Sequence, residues 1–159
     1  MSIQSAIKKF LRENKVKSIL KASKIGATIN LSLFQIKKNN ESLLLYDNIK
    51  IELMKSSDYI IGAVGERYIS LAVDKNHYSY IYGIFEKYLI SVEKKVACIS
   101  LDCSKMDNIS GIITYITSIL SQKNISMYGF FTSQDDILMI ISEENAFEYV
   151  AYIKEVLKA

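Results

Sequence analysis

The 159-residue sequence predicts an α+β chain made of two copies of one unit behind a basic helical arm. Three observations carry this reading. The order of elements repeats at an offset of about 67 residues. In both copies, short runs rich in β-branched and aromatic residues give way to apolar stripes at helical period. Half of the residues are apolar against 23% charged, which is enough to pack a core and too little charge for a disordered chain.

The arm comes first. Residues 1–24 hold Lys8, Lys9, Arg12, Lys15, Lys17, Lys21 and Lys24 against Glu13 alone, whereas the remainder carries 13 basic and 16 acidic residues. Ile3, Ile7, Phe10 and Leu11 share one helical face, and Val16, Ile19 and Leu20 fall on the opposite side. Two short helices, or one bend near Asn14, follow. With one Arg and one aromatic ring the arm is poorly equipped to read bases. Its lysines therefore read as the solvated faces of amphipathic helices, with a nucleic-acid contact as the alternative.

The first copy opens with a strand at 29–33, answered by 98–101 in the second. A helix carrying Leu45, Ile49 and Leu53 is answered by one carrying Ile109, Ile112, Ile113, Ile116 and Leu120. Strands at 59–64 and 127–131 follow, each with a glycine, Gly62 and Gly129. Strands at 69–73 and 137–141 come next. Polar junctions at 74–77 and 142–145 suit helix N-termini, and His77 is expected there as a cap. The closing helices carry Tyr78, Ile81, Ile84, Phe85, Tyr88 and Leu89 in one copy, and Ala146, Tyr149, Val150, Ile153 and Leu157 in the other. Tyr78, Tyr88 and Tyr149 thus read as packing residues.

Between the copies, 89–92 and 96–101 flank Glu93, Lys94 and Lys95, which reads as two short antiparallel strands joined by a polar turn. That completes βαββαβ for the first copy. The second stops after its last helix, so its fourth strand is expected to be missing or to come from elsewhere. The βαββαβ order is the ferredoxin-like arrangement. The expected division is an arm at 1–26, a first repeat at 27–92 and a second at 93–159. An exposed sheet edge needs a cover, and pairing of copies and of two chains in a homodimer supplies it.

Further features narrow the kind of protein. Segment 121–126 (Ser-Gln-Lys-Asn-Ile-Ser) stands where a Gly-Ile-Asn-like turn would enter a second strand, and Asp58 takes the position of Asn124 in the first copy. Segment 135–144 (Asp-Asp-Ile-Leu-Met-Ile-Ile-Ser-Glu-Glu) enters the last helix, and 14–25 looks like a helix leading into the pair. With the repeat, these features resemble tandem ACT domains over residues 28–159. Such domains are the small-molecule-binding regulatory modules of aspartokinases and of stand-alone archaeal proteins. The resemblance implies a non-catalytic regulatory protein that holds an amino acid at a junction of ACT modules. Backbone N–H groups at a helix start would take the carboxylate, and an amide or carboxylate side chain the ammonium group. Carried onto this chain, the site is Asp107, Asn108, Ile109 and Ser110 beside Asn124 and Ser126. The same residue types also suit an N-cap and a turn. The family's Pro-Gly before this helix is absent, as is every proline, where about eight would be average. Met106, Asp107 and Asn108 replace it, and 36–42 in the first copy departs further, so the site is expected in the second copy.

Other functions find little support in the residues. No Ser or Cys has a base nearby in sequence, and the carboxylates are scattered. Gly62 and Gly65 form no phosphate loop. No catalytic residue, cofactor or metal site is expected. Cys98 and Cys103 lie five apart without a CxxC and fit reduced thiols in the cytoplasm. No apolar run is long enough to cross a bilayer, and the start lacks the pattern of a secretory signal. A nucleic-acid-associated regulator using the arm, and a structural dimerisation module without ligand, are the alternatives.

Overall fold

The computed structural model describes residues 24–55, 59–103, 112–133 and 136–158, so the arm at 1–23 and Asp58 lie outside it. The elements in order are β1 (Ile25–Lys37), α1 (Asn40–Lys55), β2 (Ile60–Val64), β3 (Tyr68–Asp74), α2 (Tyr78–Phe85), β4 (Leu89–Asp102), α3 (Ile112–Gln122), β5 (Met127–Thr132), β6 (Asp136–Ser142) and α4 (Glu143–Lys158). Single 3₁₀ turns precede and follow α2. Two compact units result. One lies within Ile29–Val96, the insert unit; the other joins the described residues up to Thr28 to those from Ala97 onward and is the split unit. The bounds fall a few residues after the 92/93 division read from the sequence, and they give the start of β1 to the second copy.

In the insert unit the strand order is β2-β3-β1-β4. β3 pairs antiparallel with β1 in a register that sets Leu31 opposite Asp74 and Lys37 opposite Tyr68. β2 pairs with β3 from Ile60 opposite Val73 to Val64 opposite Ile69. Alternation sends Phe34, Ile36, Ile69, Leu71 and Val73 into one core. α1 meets them with Tyr46, Ile49 and Leu53, spaced as one helical face. Tyr46, rather than the expected Leu45, is the buried aromatic residue of the first turns, and Leu45 packs at the margin. α2 and its trailing turn add Ile81, Phe85 and Tyr88, with Tyr78, Ile84 and Leu89 at the margin, as the stripe predicts. Gly62 is required by this packing. A Cβ there would fall on the Tyr46 ring, 2.9 Å from its Cζ.

His77 occupies the N-cap position of α2 without a side-chain cap. The capping side chain is Asp74, which accepts from the Asn76 amide at 2.9 Å and opens the 3₁₀ turn ahead of the helix. The helix signal was thus legible, but the turn shifts the cap three residues upstream.

The split unit repeats the same order with a strand borrowed from earlier in the chain. β5, β6 and the 97–102 part of β4 are continued by the 25–28 part of β1. The Asp102 amide donates to the Lys24 carbonyl at 3.0 Å, and a Cβ on Gly26 would stand 2.8 Å from the Ser100 Oγ, so the two segments run antiparallel. This is the fourth strand that the second copy lacks in its own sequence. β5 pairs antiparallel with β6, with a bulge between Met127 and Gly129. Ile112, Ile116, Ile119 and Leu120 of α3 are buried, as are Ala146, Tyr149 and Ile153 of α4. Ile113, read as a stripe residue, is exposed, and Ile119 takes its place. At about 100° per residue Ile113 lies on one margin of this face beside Leu120 and Ile119 on the other, so a small rotation of the helix exposes the first and buries the second.

β4 also corrects the sequence reading. Glu93, Lys94 and Lys95 form no turn but lie within one strand from Leu89 to Asp102. The triplet contains no Gly, Asn, Asp or Pro to set a hairpin turn, and Val and Ile on both sides favour extension. The local strain collects at Lys95, whose φ is 54°. Asn30, in β1, is the corresponding residue of that strand at φ 61°, and its side chain accepts from the Lys75 ammonium at 3.0 Å.

Both units therefore have the ferredoxin-like βαββαβ order, the second by way of an N-terminal strand. Two outcomes are expected. Residues 29–96 expressed alone should unfold cooperatively in urea, whereas 97–159 should gain a cooperative transition only when 24–28 is supplied on the same chain; circular dichroism reads both. The second outcome concerns Tyr149, whose buried hydroxyl donates to the Ile116 carbonyl at 3.0 Å and whose pKa burial pushes well up. The unfolded phenol ionises near pH 10. Because the folded pKa lies higher, the neutral form's stabilisation is complete below about pH 10 and is lost as pH rises toward the folded value. Alkaline unfolding should therefore begin above about pH 10. Tyr149→Phe should remove this residue's share of it while costing about 1 kcal/mol at neutral pH.

Candidate functional site

In each unit the segment from the first strand to the first helix is the position implied for a ligand. In the insert unit that segment is fully described. Asn39 is the N-cap of α1, and its Oδ1 accepts from the Ser42 amide at 2.8 Å. The Ser42 Oγ accepts in return from the Asn39 amide at 2.9 Å. This is a capping box with serine in the place usually held by Glu or Gln. The Ser42 hydroxyl donates to the Lys37 carbonyl at 2.8 Å, and Ser42 is fully buried. The Leu43 amide reaches the Asn39 carbonyl at 3.0 Å. Lys38 ties the loop to the β2–β3 turn: its amide donates to the Arg67 carbonyl at 2.9 Å and its ammonium to the Gly65 carbonyl at 2.8 Å. Two of the amides at this helix start, those of Asn39 and Ser42, are therefore taken by the chain itself.

A small charged cluster flanks the box. Glu41, in the first turn of α1, lies 3.5 Å from the Lys87 ammonium, with both side chains exposed. The Tyr88 hydroxyl is buried and has no partner in hydrogen-bond geometry, yet it is close enough to Glu41 for the two to influence each other. The Tyr88 hydroxyl and then Lys87 lower the Glu41 pKa, and Glu41 together with burial raises that of Tyr88. Lys87 also stands 5.2 Å over the Tyr88 ring.

In the split unit Asp107, Asn108, Ile109 and Ser110 lie outside the described residues, between Cys103 and Ile112. Asn124 and Ser126 are described, and both are exposed. Asn124 closes α3. Its φ is 53°, its amide donates to the Ser121 carbonyl at 3.1 Å, and the Ile125 amide donates to Leu120 at 2.9 Å. This pair of bonds is a Schellman motif, with Leu120 and Ile125 buried as its apolar contact. The backbone of Asn124 thus has a structural reason, while its side chain stays at the surface beside the start of β5. β5 is the outermost strand of this unit's order, so Asn124 and Ser126 sit at the sheet edge. The Cys103 thiol, at the end of β4, is buried and donates weakly to the Leu101 carbonyl at 3.5 Å.

Asn39, Ser42 and Lys38 were not singled out from the sequence. The Asn-x-x-Ser spacing before an apolar run was their available signal.

The ACT domain family model matches residues 91–148. Solved structures extend the likeness to both units and bear out the resemblance to the aspartokinase type. The chain is similar to the aspartokinase α and β subunits, with a TM-score of 0.68 at 13% identity over 85% of this chain and 97% of that one. It is also similar to the ligand-free regulatory subunit of aspartate kinase from Thermus thermophilus, at a TM-score of 0.62 and 12% identity over 82% and 95%. Escherichia coli aspartokinase III, in a complex with lysine and aspartate, matches at a TM-score of 0.57 and 17% identity, over 84% of this chain and 32% of that enzyme. At these identities the likeness is one of fold. No curated protein sequence matches the chain. Among the described residues no helix is long and apolar enough to cross a membrane.

The insert-unit loop is open to a direct measurement. Asn39→Ala and Ser42→Ala should each lower stability by about 1–2 kcal/mol in chemical denaturation. The double variant should cost clearly less than the sum, because the two side chains satisfy each other's amides.

Proposed function

We propose that the chain is a non-catalytic regulatory protein that binds an amino acid at a junction of ACT modules and passes the event to a partner or to its own oligomer. The observation that carries this reading is the fold of both units, which is shared with the regulatory parts of aspartokinases. One of those relatives is described in complex with lysine and aspartate. The two ligand positions are not equivalent. At the helix start of the insert unit the Asn39 and Ser42 amides are already paired with each other's side chains, which favours the split unit, where Asp107, Asn108, Ile109 and Ser110 would face the ligand with help from Asn124 and Ser126. Asn124 and Ser126 have the exposure such a role needs. Regulation follows by linkage: a ligand that binds one arrangement better than another shifts the population toward it. Such a protein works in the cytoplasm, where free amino acids are abundant and thiols stay reduced.

Thermal-shift screening of the full chain against the common amino acids tests the reading. An amino acid present at about 100 times its Kd should raise the melting temperature by roughly 5–10 °C. Calorimetry should then give one ligand per chain. Absence of any shift at millimolar concentration across the set would rule out amino-acid sensing.

A further inference from the structure

The outward face of α1 is unusual for a solvated helix. Leu44, Ile51 and Met54 are 66%, 60% and 65% exposed, among the most exposed large apolar side chains of the described residues. Leu44 and Ile51 are two turns apart on one line, with Met54 on its flank and Asp47 and Asn48 between them. The core-facing residues Tyr46, Ile49 and Leu53 take the other side, so the helix is apolar on both faces. Its charges are ordered along the axis. Glu41 and Asp47 lie in the N-terminal half, and Lys50 and Lys55 in the C-terminal half. Glu52 is already engaged, accepting from the Tyr80 hydroxyl at 2.5 Å.

We infer that this face is a contact between two copies of the chain, in which α1 packs antiparallel on the partner's α1 about a two-fold axis near Asn48. The inference does not depend on the ligand reading. An isologous contact must be self-complementary under its two-fold axis, and this face is. With the axis near Asn48, Leu44 faces the partner's Ile51, Asp47 faces the partner's Lys50, and Glu41 faces the partner's Lys55. A parallel pairing would set like charges side by side and align the two helix dipoles. The apolar side chains supply the attraction. The charges fix direction and register, since exposed ion pairs by themselves add little. Glu41 divides its attraction with its own Lys87, so Asp47 and Lys50 are the pair that sets the register.

Sedimentation of the full chain over a micromolar dilution series tests this. A reversible monomer–dimer equilibrium is expected, weakened about tenfold or more by Ile51→Lys. Asp47→Lys should weaken it as well, and Asp47→Lys with Lys50→Glu should restore it. Asn48→Cys should cross-link to a covalent dimer under copper–phenanthroline oxidation, while Cys98 and Cys103, both buried, stay unreacted. All four positions are exposed, and an unchanged melting temperature at a concentration where the chain is monomeric confirms that each variant is folded. A chain that stays monomeric throughout, a dimer indifferent to Ile51→Lys, or no cross-link from Asn48→Cys would each overturn the inference, leaving the face to a different protein.

Discussion

The pairing of 25–28 with 97–102 is the constraint on which the split unit rests. Without it the β4 segment would present a row of unpaired N–H and C=O groups at an open edge, flanked by Ile99 and Leu101, both fully buried. The Lys24 carbonyl and the Asp102 amide mark the end of that pairing. Because 25–28 precedes the insert and 97–102 follows it, the unit closes only after the chain has passed through the whole of 29–96. Its defining contact is therefore long-range, and its loop-closure entropy is larger than that of any contact inside the insert. Gly26 reflects the same closeness, since a Cβ there would press on Ser100.

The helix start after the first strand of the insert unit shows how amides at a helix N-terminus can be satisfied from within. Asn39 and Ser42 exchange hydrogen bonds, the Ser42 hydroxyl reaches back to Lys37, and Lys38 anchors the loop to the neighbouring hairpin. A proline before the helix would fix φ and remove an amide. Here the Asn39 amide is needed by Ser42, so proline at that position would break the box. The missing proline thus has a local reason in the insert unit: capping by side chains takes over the ordering that a Pro-Gly pair would impose.

Much of the fold was legible because burial follows period. Ile81, Phe85 and Tyr88 in α2 and its trailing turn, and Ala146, Tyr149 and Ile153 in α4, were readable from their spacing and are buried. What failed did so where neighbours at one position compete for the same face. Tyr46 displaced Leu45 and Ile119 displaced Ile113, and a one-residue rotation of a helix is set by what it packs against. The Glu93, Lys94 and Lys95 triplet looked like a turn because it is charged. Charge alone makes no turn when the residues lack the backbone freedom that a hairpin demands. Of the ligand-position residues, Asn124 was readable as a turn former, and its Schellman geometry agrees. The capping box at Asn39 and Ser42 was present as a spacing, but its closure depends on Lys37 and Arg67, which belong to elements brought together only by the sheet.

By itself the sequence determined the repeat, the α+β class, the order of strands and helices and most of the two cores, because these depend on local period and on the side chains each segment must bury. It also raised the expectation that the fourth strand of the second copy is missing or comes from elsewhere. Tertiary structure alone decided where that strand comes from. Strand pairing is a matter of backbone hydrogen bonds between segments far apart in the chain, and the side-chain pattern of 25–28 does not record which edge it will join.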